Sequence, residues 1–230
     1  MRVWAAVVLA AVQVVYHDRP PGIDPELESA LAAAEAAVEE YIRADPPRAE
    51  RILREIVNLT NRHVHCLPVP AAEALPRTTG WVMRLGGRGL KTCVVSPVAR
   101  LVADGFAAFL VGDTLFFSAD LEERLPPDRL AVVVAHELSH DRLDGVRKHL
   151  HRSVTGTTAG QEAWLASRLE DRAHLGAMEK LAAAGMNPRL VIEYVRRQNP
   201  DRFSREHVAA SIATLEAALS RLPPHYNRVK

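Results

Sequence analysis

His136 and His140 stand four residues apart, and Glu137 follows the first of them, in the run His136-Glu137-Leu138-Ser139-His140. On a helix that spacing projects both imidazoles from one face, about one turn apart. Two such rings can bind one metal ion, with Zn–N distances of about 2.0–2.1 Å. Glu137 sits beside the first ligand, close enough to take a proton from a metal-activated water without binding the ion itself. In a chain of this length and composition the pattern is expected by chance about 0.03 times, and a chance copy usually lacks a third ligand. Here Glu170 is a candidate third ligand, on a later helical stretch where Glu170, Ala173 and His174 share a face. Two histidines and a glutamate leave one coordination position open, which a catalytic zinc needs and a structural zinc lacks.

The elements that would position these residues follow from the patterning. Pro126-Pro127-Asp128 starts a helix that runs through His140, with Leu130, Val133 and Val134 turned to the core so that the histidines face a cleft. A long helix is predicted over 161–184, stopped by Gly185 with Pro188 beyond it. Two shorter helices over 189–198 and 204–222 close the domain. Upstream, Asp24-Pro25 caps a helix carrying Leu27, Leu31, Ala34, Val38 and Ile42 at helical spacing. After Asp45-Pro46-Pro47 a second helix carries Ile52, Ile56 and Leu59, and both helices read as scaffold. Trp81-Val82-Met83 and Thr92-Cys93-Val94-Val95 flank a glycine-rich turn and predict one hairpin. Residues 106–111 and 114–117 flank Gly112-Asp113 and predict a second. The segment 153–160 is small and polar, and reads as a loop. The fold class expected is α+β: a small antiparallel sheet, helical elsewhere.

The chain of 230 residues is long enough for one domain with a real core. Its formal net charge of +1 gives no reason to expect nucleic acid as a partner. Arg2 precedes an apolar run over 3–15 that is short for a membrane span. A charged start, a compact apolar stretch and small residues at Ala10-Ala11 fit a signal peptide or short anchor over 1–21, followed by a single domain over 22–230. The competing reading makes 3–15 a buried element, with the protein cytoplasmic. Cys66 and Cys93 have neither redox-motif nor zinc-knuckle spacing: they bridge if the chain is exported and are small buried residues if it is not.

These residues together resemble the gluzincin zinc metallopeptidases of family M-forty-eight, which include HtpX-like, BepA-like and CAAX prenyl endopeptidases. The resemblance covers approximately residues 103–198. Asp104-Gly105-Phe106-Ala107 resembles the family's Asn-Ala-Phe-Ala segment, and Gly112-Asp113-Thr114-Leu115-Phe116-Phe117 with Leu121 resembles its edge strand and turn. Residues 130–140 resemble its zinc-binding helix. Glu170 with Ala173, then Ala184-Gly185-Met186-Asn187-Pro188, resembles its Glu-x-x-Ala-Asp helix and the Ala-Gly-Tyr-Asp-Pro that follows. The resemblance implies a zincin-like fold in which His136, His140 and Glu170 hold one zinc ion and Glu137 is the general base. It implies a zinc-dependent endopeptidase acting on extended or unfolded polypeptides, which pair with the strand near Thr114–Phe117 as an added strand pairs with a sheet edge. With the leader, it implies an extracytoplasmic setting, soluble in a bacterial periplasm or tethered to the membrane.

Two departures stand out. His174 occupies the place of an aspartate that orients the first zinc histidine in the family. It could accept that bond as a neutral ring, reach the metal itself, or lie exposed. The family's Thr-His-Pro is replaced by Phe203-Ser204-Arg205-Glu206-His207, from which Arg205 or His207 could stabilise an oxyanion. Both departures favour an alternative function, a metal-containing chaperone-like or peptide-binding module with little proteolysis. A zinc hydrolase of a non-peptide substrate is a second. His63 and His65 alternate along an expected strand and read as ordinary residues. His149 and His151 beside Arg147 and Lys148 read as a solvated basic stretch or a lid over the cleft. His225 and Tyr226 lie too close to the terminus for a role.

Overall fold

The computed structural model describes residues 25–96, 108–155, 159–197 and 205–222. The expected leader, the Asp104-Gly105-Phe106-Ala107 segment, the middle of the expected 153–160 loop, Phe203-Ser204 and the His225-Tyr226 pair lie outside them. The structure is 71% helical with one small sheet, which makes it α+β.

Helix α1 (Pro25–Ala44) buries Leu31, Ala34, Val38 and Ile42, the spacing read from the sequence. Asp45 caps α2 (Pro46–His63), accepting a hydrogen bond at 3.1 Å from the Arg48 N–H, and Pro46 supplies a first position that needs no donor. The two helices share a satellite core with the later α7, formed by Val38, Ile42, Ala49, Leu53 and Val146.

The first expected hairpin does not form. After the short α3 (Ala71–Ala74), residues Pro76–Arg84 are helix α4, which buries Thr78 and Val82 one turn apart. Gly86, at φ 90°, ends it, and the Gly87 N–H donates to the Val82 carbonyl at 2.8 Å. This is a Schellman cap, so the glycines stop a helix where the sequence suggested a strand turn. The position of Gly87 is tight: a Cβ there would lie 2.6 Å from Val82 Cγ1.

The sheet is mixed rather than antiparallel. Strand β1 (Lys91–Val95) runs parallel to β3 (Thr114–Ser118), pairing Cys93 with Phe116, and β2 (Ala108–Val111) runs antiparallel to β3, pairing Leu110 with Leu115. The β2–β3 hairpin turns at Gly112, φ 58°, as expected. The strand order β1-β3-β2 puts β3 in the centre, so Thr114–Phe117 is not the exposed edge. Leu115, Phe116 and Phe117 are buried in succession, the pattern of a strand covered on both faces. The edge is β2. A Cys66–Cys93 disulfide ties the chain leaving α2 to β1.

The short α5 (Leu121–Arg124) leads to α6 (Pro127–Glu137), whose residues Leu130 to Glu137 are all buried. Around it lie α4, the long α8 (Ala159–Ala183), α9 (Arg189–Arg196) and α10 (Arg205–Arg221), sharing the main core of Val82, Leu130, Val134, Met178, Leu181, Val191 and Leu215. Gly185, at φ 74°, ends α8: its N–H donates to Ala182, and that of Met186 to Leu181, both at 2.9 Å. Helix α7 (Asp144–Thr155) occupies the stretch expected to be a solvated basic segment. Its Val146 is fully buried, and its Arg147 pairs with Glu39 of α1 at 2.6 Å. No described helix is long and apolar enough to cross a membrane.

Candidate metal centre and cleft

Helix α6 ends at Glu137 instead of continuing through His140. The Ser139 N–H donates to the His136 carbonyl at 2.9 Å and the His140 N–H to that of Glu137 at 3.3 Å, a tighter turn that still keeps His140 above His136. Their Nε2 atoms lie 3.3 Å apart. Helix α8 crosses behind and delivers Glu170, with Oε2 at 3.0 Å from Nε2 of His136 and Oε1 at 3.6 Å from Nε2 of His140. Glu170 thus meets the two imidazoles through different oxygens, at distances near the roughly 3.3 Å that separates tetrahedral ligands about 2.0–2.1 Å from an ion. The close approach of α8 depends on Gly176, where a Cβ would sit 2.8 Å from Ser139 Cβ.

Asp144, which the sequence reading passed over, stands at the start of α7 with Oδ2 at 3.1 Å from Nδ1 of His140. Its other oxygen is 3.0 Å from Arg147 Nη1. His140 is thus held between Asp144 and Glu170, the arrangement that fixes the tautomer of a metal-binding imidazole. Burial disfavours the Asp144 carboxylate, but His140, Lys148 and Arg147 outweigh it and lower its pKa.

His174 is 2% exposed, which removes the reading of it as a surface residue. His136, Glu170 and His174 form a buried group able to hold a metal ion, their donor atoms within 4.8 Å of one another. His140 stands beside this group, its Nε2 at 3.3 Å from that of His136 and at 3.6 Å from Glu170 Oε1. Nor does His174 replace the missing aspartate as a hydrogen-bond acceptor: Nδ1 of His136 is buried with no partner among the described residues. The His136 and His174 rings pack instead, with centroids 4.8 Å apart. Burial, and next the nearby His136, push the His174 pKa down to about 3, so its ring is neutral. Tyr194 of α9 packs on both rings, 6.3 Å from each centroid.

Burial also opposes ionisation of Glu170, yet His140 and His136 overcome it and hold its pKa well below the ordinary value. Glu137 differs. Burial pushes it up to about 8, with His136 opposing and Glu170 adding to the rise. Its carboxyl also receives a backbone hydrogen bond from Leu110 of β2, joining it to the edge strand.

The donor set opens on a cleft of about 120 Å³. One wall is β2 with Gly112, and the other is the 140–148 segment, which contributes Asp144 and Lys148. Leu53, Ile56 and Thr60 of α2 also line it, so a helix read as pure scaffold forms part of the site. His207, the weakest candidate from the sequence, is buried on α10 close enough for its charge to depress His174. It is not among the cleft-lining residues, and an oxyanion role finds no support. His63 and His65 are exposed; the first ends α2 and neither sits in a strand. His151 is buried against Trp164, at 6.2 Å between ring centroids, rather than solvated.

Compared with known proteins, the chain matches no protein-family profile, and no curated protein or solved structure is significantly similar to it.

Proposed function

We propose that the chain is a zinc-dependent endopeptidase with a zincin-like active site, of the kind the gluzincin resemblance implies. The observation that carries this reading is the clustering of His136 Nε2, His140 Nε2 and the two carboxylate oxygens of Glu170, with contacts of 3.0, 3.3 and 3.6 Å, beside a fourth group, Glu137, that lines the same cleft. Two imidazoles and one carboxylate suit zinc and leave room for a further ligand. A zinc ion bound there would supply a Lewis acid that polarises a carbonyl and acidifies water.

The protein's own groups do the remainder. Glu137 takes the proton from water and returns it to the leaving amine. Alone, a carboxyl with a pKa near 8 is largely protonated at neutral pH, and a neighbouring cation stabilises its ionised form. The edge strand β2 offers backbone groups to an extended polypeptide, holding it along the cleft by strand addition. Pockets that enclose small molecules hold roughly 300–1,000 Å³. At about 120 Å³ the cleft takes in only the residues around the cleaved bond, which fits a substrate running past the site. The Cys66–Cys93 bridge supports an oxidising, extracytoplasmic setting.

The second reading, a metal-containing peptide-binding module, draws on the Nδ1 of His136, which has no partner among the described residues, and on the absence of His207 from the cleft lining. Hydrolysis of casein or a labelled unfolded protein separates the two. The peptidase reading expects cleavage by the zinc-loaded protein that disappears in Glu137→Gln. Cleavage by neither, with peptide binding retained, would move the assignment to the binding module.

A further inference from the structure

Two cations line the cleft, and they differ in how their charge is used. Arg142 is spent: its guanidinium pairs with Glu50 at 2.6 Å and Asp113 at 3.2 Å. The adjacent Arg147 is committed to Glu39, Asp141 and Asp144. Lys148 lines the same cleft as His136, Glu137, His140 and Glu170, and among the described residues its ammonium has neither an ion pair nor a hydrogen bond. It is one of four lysines in a chain whose basic residues are otherwise arginine.

No side chain in the cleft pairs directly with this charge, which acts at a distance on Glu137, Asp144 and Glu170. Asp144 is held by His140 and Arg147, and Glu170 by the two histidines. A divalent ion on Glu170 would bring two further positive charges, leaving the cleft short of anions. A partly buried ammonium without a direct hydrogen-bonded partner gains from a ligand that supplies one. Its flexible stem also lets it follow a carboxylate whose position is set by backbone pairing along β2.

We propose that Lys148 binds a carboxylate of the substrate beside the cleaved bond, so that the site selects anionic polypeptide segments. The carboxylate comes from an acidic side chain or from a free C-terminus. The inference rests on the peptidase reading, since it gives that site its substrate class.

The test is binding to zinc-loaded protein in the Glu137→Gln background, read by fluorescence anisotropy so that no turnover is needed. Three labelled probes are compared: a glutamine-containing peptide blocked at both ends, its glutamate counterpart, and the glutamine peptide with a free C-terminus. The proposal expects one carboxylate-bearing probe to bind at least about tenfold more tightly than its neutral match, as a charge-assisted hydrogen bond would give. Which probe gains identifies the source of the carboxylate. Adding Lys148→Gln should abolish the preference while leaving the neutral peptide's affinity unchanged, and Lys148→Arg should restore part of it. Equal binding of charged and neutral probes, or a preference that survives Lys148→Gln, would overturn the proposal while the peptidase reading stands. Failure of every probe to bind zinc-loaded protein would instead overturn the peptidase reading, and this proposal with it.

Discussion

Asp144 Oδ2 lies 3.1 Å from His140 Nδ1, on the opposite side of the imidazole from Glu170. The carboxylate sets the tautomer that presents Nε2 to the donor cluster and raises that nitrogen's basicity. Asp144→Asn keeps the size but removes the charge. Zinc affinity, measured by chelator competition, should fall by about 10–100-fold while the fold is kept. Unchanged affinity would mean that His140 does not contribute to the metal site.

Gly176 of α8 packs against Ser139, in the turn that follows α6 and positions His140. A methyl group at 176 must push Ser139 away, since the two carbons would be 2.8 Å apart. Gly176→Ala should therefore destabilise the protein by roughly 1–3 kcal/mol in urea unfolding, the usual cost of overpacking. Ser139→Gly added to it should recover most of that loss, because the two positions are directly coupled. Additive losses would show that the contact does not set the helix spacing.

His151 carries a pH dependence that has nothing to do with metal. It is buried against Trp164 and faces the Leu31 backbone and Glu35 of α1, and burial lowers its pKa from 6.5. The folded state binds this proton less readily than the unfolded state, so its share of stability is complete above pH 6.5 and is lost as the pH falls toward the folded value. Unfolding curves at pH 8 and pH 5.5 should show this loss, and His151→Phe should make it smaller. An identical pH slope in both proteins would contradict the assignment.

The Cys66–Cys93 bridge closes a loop between positions 27 residues apart. Chain-entropy arguments give about 3–4 kcal/mol for a loop of that length. Reduction, or Cys66→Ala with Cys93→Ala, should lower the unfolding midpoint accordingly. A midpoint that does not move would mean that the bridge adds nothing to global stability.

The clustering of His136, His140 and Glu170 was legible because its information is local: His136, Glu137 and His140 are spaced by one helical turn, and Glu170 is placed by a helix whose Gly185 stop is plain in the sequence. The errors arose where a residue type serves two purposes. Gly86 and Gly87 read equally well as a hairpin turn and as a Schellman cap, and only the burial of Val82 on the helix decides. Leu115, Phe116 and Phe117 form a solid apolar run, which marks a central strand and was assigned to the edge. Asp144 was missed, and Lys148 was legible only as part of a basic stretch or lid, although His140, Asp144 and Lys148 recur every four residues. The polar composition of 141–152 hid α7, whose helical form depends on packing Val146 against α1 and α2. The burial of His174 and the burial of His207 outside the cleft lining depend on how α8, α9 and α10 pack, which no local pattern encodes.

The most direct test of the account is zinc content after exhaustive dialysis, measured by plasma mass spectrometry on the wild-type chain, Glu170→Gln and Glu137→Gln. The account predicts about one zinc per wild-type chain, as three protein ligands and one open position imply. It predicts loss in Glu170→Gln and retention in Glu137→Gln. A wild-type chain without zinc, or zinc that survives Glu170→Gln and disappears with Glu137→Gln, would contradict it.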